Sequence, residues 1–369
     1  MYHATQSMSP RLSPSQYFTA ESYREDLEHL RRSAWHLVGT TSQFSRPGDH
    51  VATTILEVPV LVRNCDGQLV GFRNVCAHRH CQLFDDGAGH SAALKCRYHG
   101  WHYGADGLTR RLPGAMNFPG FDRESHKLET FDVACCGQLV FVKLHFDAPD
   151  LPSWLGPYEA MFRDSTTQGR WIENLSTQRE YQANWKIPIE GSLESYHLNE
   201  VHAGTFGSDP GEQASEHQLC DQGTMFLTNA RGESLAERLE AWSIRFLTGS
   251  FDSTYRHIHL FPNLMASLTE SITLVYQIQP LAAERSDMRV IGFGRAAERT
   301  GLHRRCWSFG MRRASAKIAA KILDEDAAIF PRVQIGKRGA VDNGIFGRCE
   351  ERLDAFHRYE NGERQKDVR

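Results

Sequence analysis

The amino-acid sequence predicts an α+β protein of two domains, and three observations carry the prediction. From Trp35 to about residue 147, short apolar runs are cut by turn signals such as Arg46-Pro47-Gly48-Asp49, Cys65-Asp66-Gly67, Asp85-Asp86-Gly87 and Ala105-Asp106-Gly107. That is the pattern of a small antiparallel all-β domain. The Pro-rich stretch DAPDLPSWLG at 147–156 marks a boundary. Beyond it, strand-like runs at 254–262, 264–279 and 287–296 alternate with helical patterns near 186–198, 234–247 and 300–330. This predicts a second, α+β domain in which an antiparallel sheet is flanked by helices.

Residues 20–34 open the ordered chain as an amphipathic helix, with Tyr23, Leu27 and Leu30 at helical spacing among charges. WHLVG at 35–39 starts the first strand, and ILEVPVLVRN at 55–64 and QLVFVKL at 138–144 are clear β runs. Between them lie Cys76-Ala-His78 and Cys96-Arg-Tyr-His99, each placing one thiol and one imidazole on one short loop. Two cysteines can hold one iron of a [2Fe–2S] cluster while two neutral histidines hold the other, which is the Rieske arrangement. The same four ligands can bind zinc, but zinc-finger spacing groups cysteines with cysteines and histidines with histidines.

The composition excludes several classes. The net charge is −3 and no Lys/Arg block occurs, so nothing points to nucleic acid. No apolar run reaches the roughly eighteen residues a membrane span needs. The first residues, MYHATQSMSPRLSPSQ, have no apolar core and predict no secretory signal. Of the nine cysteines, the seven beyond the two assigned to iron show no framework spacing, which fits reduced thiols in a cytoplasmic protein.

In the second half, Glu190, Glu194 and His197 fall on one helical stripe, and His202 follows five residues after His197. Five helical steps make the two imidazoles diverge, so shared binding of one metal requires a break between Leu198 and Val201. Spacing alone leaves a surface helix with two unrelated histidines open. It also leaves open the choice among Asp324, Glu325 and Asp326 as a third ligand. Gly292-Phe-Gly294-Arg-Ala-Ala297 matches a loose dinucleotide fingerprint, but it lacks a βαβ unit and a ribose-binding acid, and predicts a strand of small residues. Electrons are then expected from another protein.

Taken together, C-x-H-R, C-x-x-H-G-W, the AWHLVG opening, NFPGFD at 117–122, N-W-K at 184–186, acid-x-Tyr-His-x4-His, FPNLMAS at 261–267 and Glu325-Asp326 followed by Gln334 resemble the Rieske non-heme iron oxygenases over nearly the full length. The resemblance is to terminal oxygenase (alpha) components of the aromatic-ring-hydroxylating and carnitine-monooxygenase-like type. It implies an N-terminal helical segment, 1–34, packed with the catalytic domain, a Rieske domain at 35–147, and a helix-grip-like catalytic domain at 148–369. It implies a [2Fe–2S] cluster on Cys76, His78, Cys96 and His99, and one mononuclear Fe(II) on His197, His202 and Asp326. Glu194 stands where the family commonly has Asp, and resembles the subset acting on quaternary ammonium compounds. Its implied role is the electron bridge between subunits of a homotrimer.

The activity so implied is O2-dependent hydroxylation or oxidative demethylation of a small organic substrate, an aromatic compound first and a quaternary ammonium compound second. Electrons would come from an NAD(P)H-dependent reductase, directly or through a ferredoxin. The alternative is a Rieske electron-transfer protein without oxygenase activity. Respiratory Rieske proteins carry half of a disulfide where Cys81 stands; the other half falls at Tyr98, so Cys81 is expected to be a free thiol. His80 stands where a Gly is common, and reads as a surface histidine. The aromatic residues of 204–260, Phe206, Phe226, Trp242, Phe246, Phe251 and Tyr255, are expected to supply core and a pocket lining.

Overall fold

The computed structural model describes residues 1–205, 209–229 and 235–363, and every count below refers to these residues. The chain forms two compact units, Arg31–Leu151 and Met1–Leu30 with Pro152–Arg369.

In the first unit ten strands follow in order: β1 (Trp35–Thr40), β2 (Asp49–Ile55), β3 (Val58–Cys65), β4 (Gln68–Arg73), β5 (Gly87–His90), β6 (Leu94–Lys95), β7 (His102–Tyr103), β8 (Thr109–Arg111), β9 (Thr130–Cys136) and β10 (Leu139–Lys143). Seven of them make one sheet, β1-β10-β9-β4-β3-β2-β5, and β6-β7-β8 make a small second one. The run expected as one strand at 55–64 is two. Leu56 and Glu57 take φ of 48° and 66°, a two-residue turn that folds β2 back on β3. Leu61, Phe72, Leu83, Leu94, Trp101 and Leu128 form the apolar core on which Cys76 and Cys96 sit.

The second unit begins with α1 (Ala20–Ser33) and continues through α2 (Leu151–Leu155), α3 (Glu159–Asp164), β11 (Trp171–Tyr181), α4 (Lys186–Ser192), α5 (Leu198–Val201), β12 (Ser215–Cys220), β13 (Gly223–Thr228), α6 (Leu235–Thr248), β14 (Tyr255–Leu260), β15 (Leu264–Leu268), β16 (Ile272–Ala282), β17 (Arg285–Arg295), α7 (Leu302–Ala327), α8 (Phe330–Gly339) and α9 (Glu351–Glu360). Its antiparallel sheet runs β11-β17-β16-β15-β14-β13-β12. The expected strand at 264–279 is broken at residues 269–271, where Thr269 and Ser271 hydrogen-bond within a tight turn. The expected helix at 300–330 is α7, after which a short break at Ala328–Ile329 starts α8.

Gly292 and Gly294 lie in β17, where the fingerprint-like motif was noted. They leave room for neighbours on the helix side of the sheet: a Cβ on Gly294 would stand 2.4 Å from Arg312 Cγ of α7. Arg179 of β11 holds the far end of α7 through the Ala320 carbonyl (3.4 Å) and the Asp324 carboxylate. Arg179 of β11 pairs with Met288 of β17, and Thr177 pairs with Val290, which pairs in turn with Tyr276 of β16. Alternation along the strands therefore puts Tyr276 on the face that α7 covers.

The start of α4 is fixed by a buried ion pair. Lys186, 2% exposed, donates to Asp26 Oδ1 of α1 at 2.6 Å, and Trp185 Nε1 donates to Asp26 Oδ2 at 2.8 Å. Gln334 of α8 adds a second tie, accepting from Asn184 N (2.7 Å) and donating to Tyr17 O (3.1 Å). Removing one partner of such a pair strands the other charge, at a cost of about 3–5 kcal/mol. Asp26→Ala is therefore expected to lower unfolding stability by about 3 kcal/mol in a denaturant titration; a change inside ±0.5 kcal/mol, the range of ordinary surface substitutions, would show that the pair fixes nothing.

Candidate metal centres

The two cysteine–histidine loops have the same backbone. In the first, Cys76 N donates to Cys81 O (2.8 Å) and His80 N to Cys76 O (3.0 Å). In the second, Cys96 N donates to Trp101 O (2.8 Å) and Gly100 N to Cys96 O (3.1 Å). Four residues after each cysteine the chain turns left-handed, at His80 (φ 58°) and Gly100 (φ 73°). The two loops bring His78 and His99 together, ring centroids 4.6 Å apart. Trp101 stacks on His78 at 4.7 Å, and Phe118 and Phe121 of the NFPGFD segment close on Trp101 edge-on.

The sulfurs of Cys76 and Cys96 are both buried, and each has hydrogen-bond partners. Tyr103 Oη lies 3.0 Å from Cys76 Sγ and accepts from Ala77 N at 3.1 Å. Tyr98 N donates to Cys96 Sγ at 3.5 Å. Burial pushes the Cys76 thiol up. Burial works against the Cys96 thiolate too, but backbone N–H groups, Tyr98's first, outweigh it and bring that thiol down. Two buried thiols, one half-buried imidazole at His78 and one exposed imidazole at His99 form a donor set that fits a [2Fe–2S] cluster of mixed ligation. Cys81 is a free thiol.

The catalytic unit builds the second centre by interrupting a helix. The expected stripe of Glu190, Glu194 and His197 does not form, because α4 stops at Ser192. Glu190 instead turns toward Tyr17 and His357 Nε2, the latter at 2.9 Å. The break falls earlier than expected, before His197 rather than between Leu198 and Val201. Its cause is Glu194, whose Oε2 accepts the His197 backbone N–H at 3.0 Å. A continuous helix would give that donor to Leu193 O. His197 then precedes the single turn of α5 and His202 follows it. The one-turn offset aims both rings at one point.

His197, His202 and Asp326 each offer a ligand atom, and these atoms lie within 4.8 Å of one another. Asp326 Oδ1 is 2.8 Å from His202 Nε2 and 3.9 Å from His197 Nε2. Each ring is held from behind by another carboxylate. His197 Nδ1 lies 2.6 Å from Glu194 Oε1, and His202 Nδ1 lies 2.8 Å from Glu325 Oε2. Thr205 steadies Glu325 at 2.6 Å. Carboxylates behind both imidazoles fix the tautomer that leaves Nε2 free for a metal, so the donor set fits a 2-His-1-carboxylate iron site. Burial disfavours charge on His202, but hydrogen bonds to Asp326 and Glu325 outweigh it and raise its pKa. Sequence reasoning missed the part played by Glu325; its only signal was adjacency to Asp326.

Of the aromatic residues expected to serve core or pocket, Phe226 is buried and Tyr255 half-buried. Trp242 is 52% exposed and stacks on Phe246. Phe206 lies outside the described residues. The left-handed position of His80 explains why glycine is common there: a side chain in that region costs about 1 kcal/mol. His80→Gly is expected to raise stability by about 1 kcal/mol in chemical denaturation; an equal loss would mean that the imidazole is held by contacts of its own.

Residues 34–131 match the family described as Rieske [2Fe-2S] domain, and residues 169–361 match the ring hydroxylating alpha subunit (catalytic domain). The chain is 32% identical over 185 residues to the chlorobenzene dioxygenase subunit alpha of Cupriavidus sp. (strain PS12), covering 49% of this chain and 41% of that protein. It is 30% identical over 187 residues to the glycine betaine monooxygenase oxygenase subunit of Pseudomonas aeruginosa, covering 50% and 43%. The chain thus spans less than half the length of these two relatives. The solved quaternary ammonium Rieske monooxygenase CntA shares the fold, with a TM-score of 0.76, 18% identity, and coverage of 97% of this chain and 96% of that one. With a Rieske unit of β-strands, an α+β unit carrying a two-histidine, one-carboxylate centre, and a family match spanning more than half of its length, the chain belongs to the ring-hydroxylating alpha subunits of the Rieske oxygenases.

Proposed function

We propose that this chain is the terminal oxygenase of a multicomponent system that hydroxylates or oxidatively demethylates a small organic substrate with O2. Electrons would come from a separate NAD(P)H-dependent reductase, directly or through a ferredoxin. The observation that carries this reading is the His197–His202–Asp326 cluster in a chain that also holds the paired cysteine–histidine loops. An electron carrier needs only the loops. When bound, the cluster supplies single electrons and the mononuclear Fe(II) supplies open coordination positions for dioxygen.

The reading assigns each residue a role that the geometry supports. Cys76, Cys96, His78 and His99 hold the cluster, and His197, His202 and Asp326 hold the iron. Glu194 and Glu325 accept the Nδ1 protons of the two ligand histidines. Each oxygen of Glu194 keeps a further lone pair. It can therefore accept a second imidazole N–H from a Rieske histidine of a neighbouring subunit, as the bridge of a homotrimer. Tyr196, two residues on, is 70% exposed, which suits a covered interface. A chain whose cysteines form no disulfide among the described residues suits the reducing cytoplasm.

These roles separate in one set of variants. The intact protein should carry about three irons per chain, two in the cluster and one mononuclear. His197→Ala and Asp326→Ala should keep the cluster's EPR signal, lose the third iron, and lose NADH-coupled product formation. Full turnover in either variant would sink the assignment. Glu194→Ala should keep all the iron and still fail to turn over; normal turnover there would remove the bridge while leaving the oxygenase reading intact.

A further inference from the structure

The face of the catalytic sheet under α7 carries a buried chain of polar groups that neither metal centre uses. It starts at Arg352 of α9, whose side chain is 2% exposed. Arg352 Nε donates to Thr224 Oγ1 (3.0 Å), and Nη2 donates to His257 Nδ1 (3.0 Å) and His257 O (3.2 Å). Nη1 reaches Leu193 O at 3.5 Å. None of these partners is a carboxylate. A buried guanidinium without a counter-charge is costly, and burial brings its pKa down only to about 10, so it stays charged at neutral pH.

Chemistry fixes the direction of every bond in the chain. Guanidinium only donates, so His257 Nδ1 must accept and its proton must sit on Nε2. Burial, and then the Arg352 charge, hold the His257 pKa well below the ordinary value, which keeps the ring neutral. His257 Nε2 lies 2.5 Å from Tyr276 Oη, so that oxygen accepts. Burial raises the Tyr276 pKa, so the phenol keeps its proton. Its own hydrogen can only donate outward, directly or through Ser267, whose Oγ lies 3.2 Å from Tyr255 Oη.

The chain ends where the sheet is incompletely covered and near the iron ligands. Tyr255, Ser267 and Leu274, on the helix side of β14–β16, are half-buried. Ile258, Ala266 and Val275, on the opposite face, are fully buried. Tyr276 shares its face with Arg179, which grips α7 at Asp324, two residues before Asp326. Phe226 and Tyr255 on the same face can stack on a ring or face a trimethylammonium group.

We infer that Arg352, His257 and Tyr276 form the recognition end of the substrate chamber and select a substrate bearing a carboxylate, which accepts the Tyr276 hydroxyl hydrogen while the carbon to be oxidised faces His197, His202 and Asp326. The inference rests on the oxygenase reading of this site. A hydrocarbon arene would leave the donor at the open end of this chain without an acceptor, and an unmatched buried donor is penalised more than a matched one is rewarded.

Direct binding tests this without turnover. Calorimetry on the iron-loaded protein would compare benzoate with toluene, and glycine betaine with choline. The carboxylate of at least one pair should bind about tenfold tighter or more, and Tyr276→Phe should remove about that factor. Iron content and the cluster's EPR signal confirm that the variant is folded. Equal affinity within both pairs, failure of both carboxylates to bind, or an unchanged preference in Tyr276→Phe would overturn the inference. A preserved preference with no NADH-coupled O2 uptake would instead refute the oxygenase reading and leave the recognition chain standing.

Discussion

The catalytic unit depends on one buried interaction, the Asp26 carboxylate held between Lys186 and the Trp185 indole. A charged pair removed from water survives only with good geometry and with its remaining lone pairs occupied. Here Lys186 reaches both carboxylate oxygens and Trp185 adds a second donor to one of them. That fixes α4 on α1 before the chain reaches any iron ligand. Gln334 adds a neutral tie from α8. The segment that must place two imidazoles therefore leaves a rigid start.

From that start, the two-histidine, one-carboxylate centre is made by ending a helix at the right residue. Glu194 does two jobs through two oxygens: one takes the backbone donor of His197 and the other takes its ring. The acid that stops α4 is thus also the acid that orients the first imidazole. An aspartate, one methylene shorter, would have to reach both donors from a closer backbone. On the far side, consecutive acids at the end of α7 divide the work: Asp326 faces the centre and Glu325 backs His202.

Much of this was legible in the sequence where chemistry imposes short spacing. C-x-H and C-x-x-H each fit one loop, so the cluster loops needed no tertiary information. The iron histidines were legible as a pair but not in their geometry, because helical periodicity cannot foresee a side chain that captures a backbone N–H. β11 escaped notice since WIENLSTQREY alternates polar residues on both faces, and it becomes a strand through pairing with β17. The Arg352–His257–Tyr276 chain was invisible for another reason. Its members come from three distant elements, and nothing local to any of them signals the other two.

The two glycines of β17 have a mechanical consequence. They set how deeply α7 beds on the sheet, since a methyl group on Gly294 would meet the Arg312 stem. The helix is a stiff rod rising about 1.5 Å per residue, so Arg312 and Asp326 are separated by roughly 21 Å of it. A displacement imposed at Gly294 would be delivered along that rod to its last turn, where a shift of a few tenths of an ångström changes how Asp326 meets the two imidazoles. The strand that looked like a nucleotide loop is better described as the bearing on which a distant ligand is aligned.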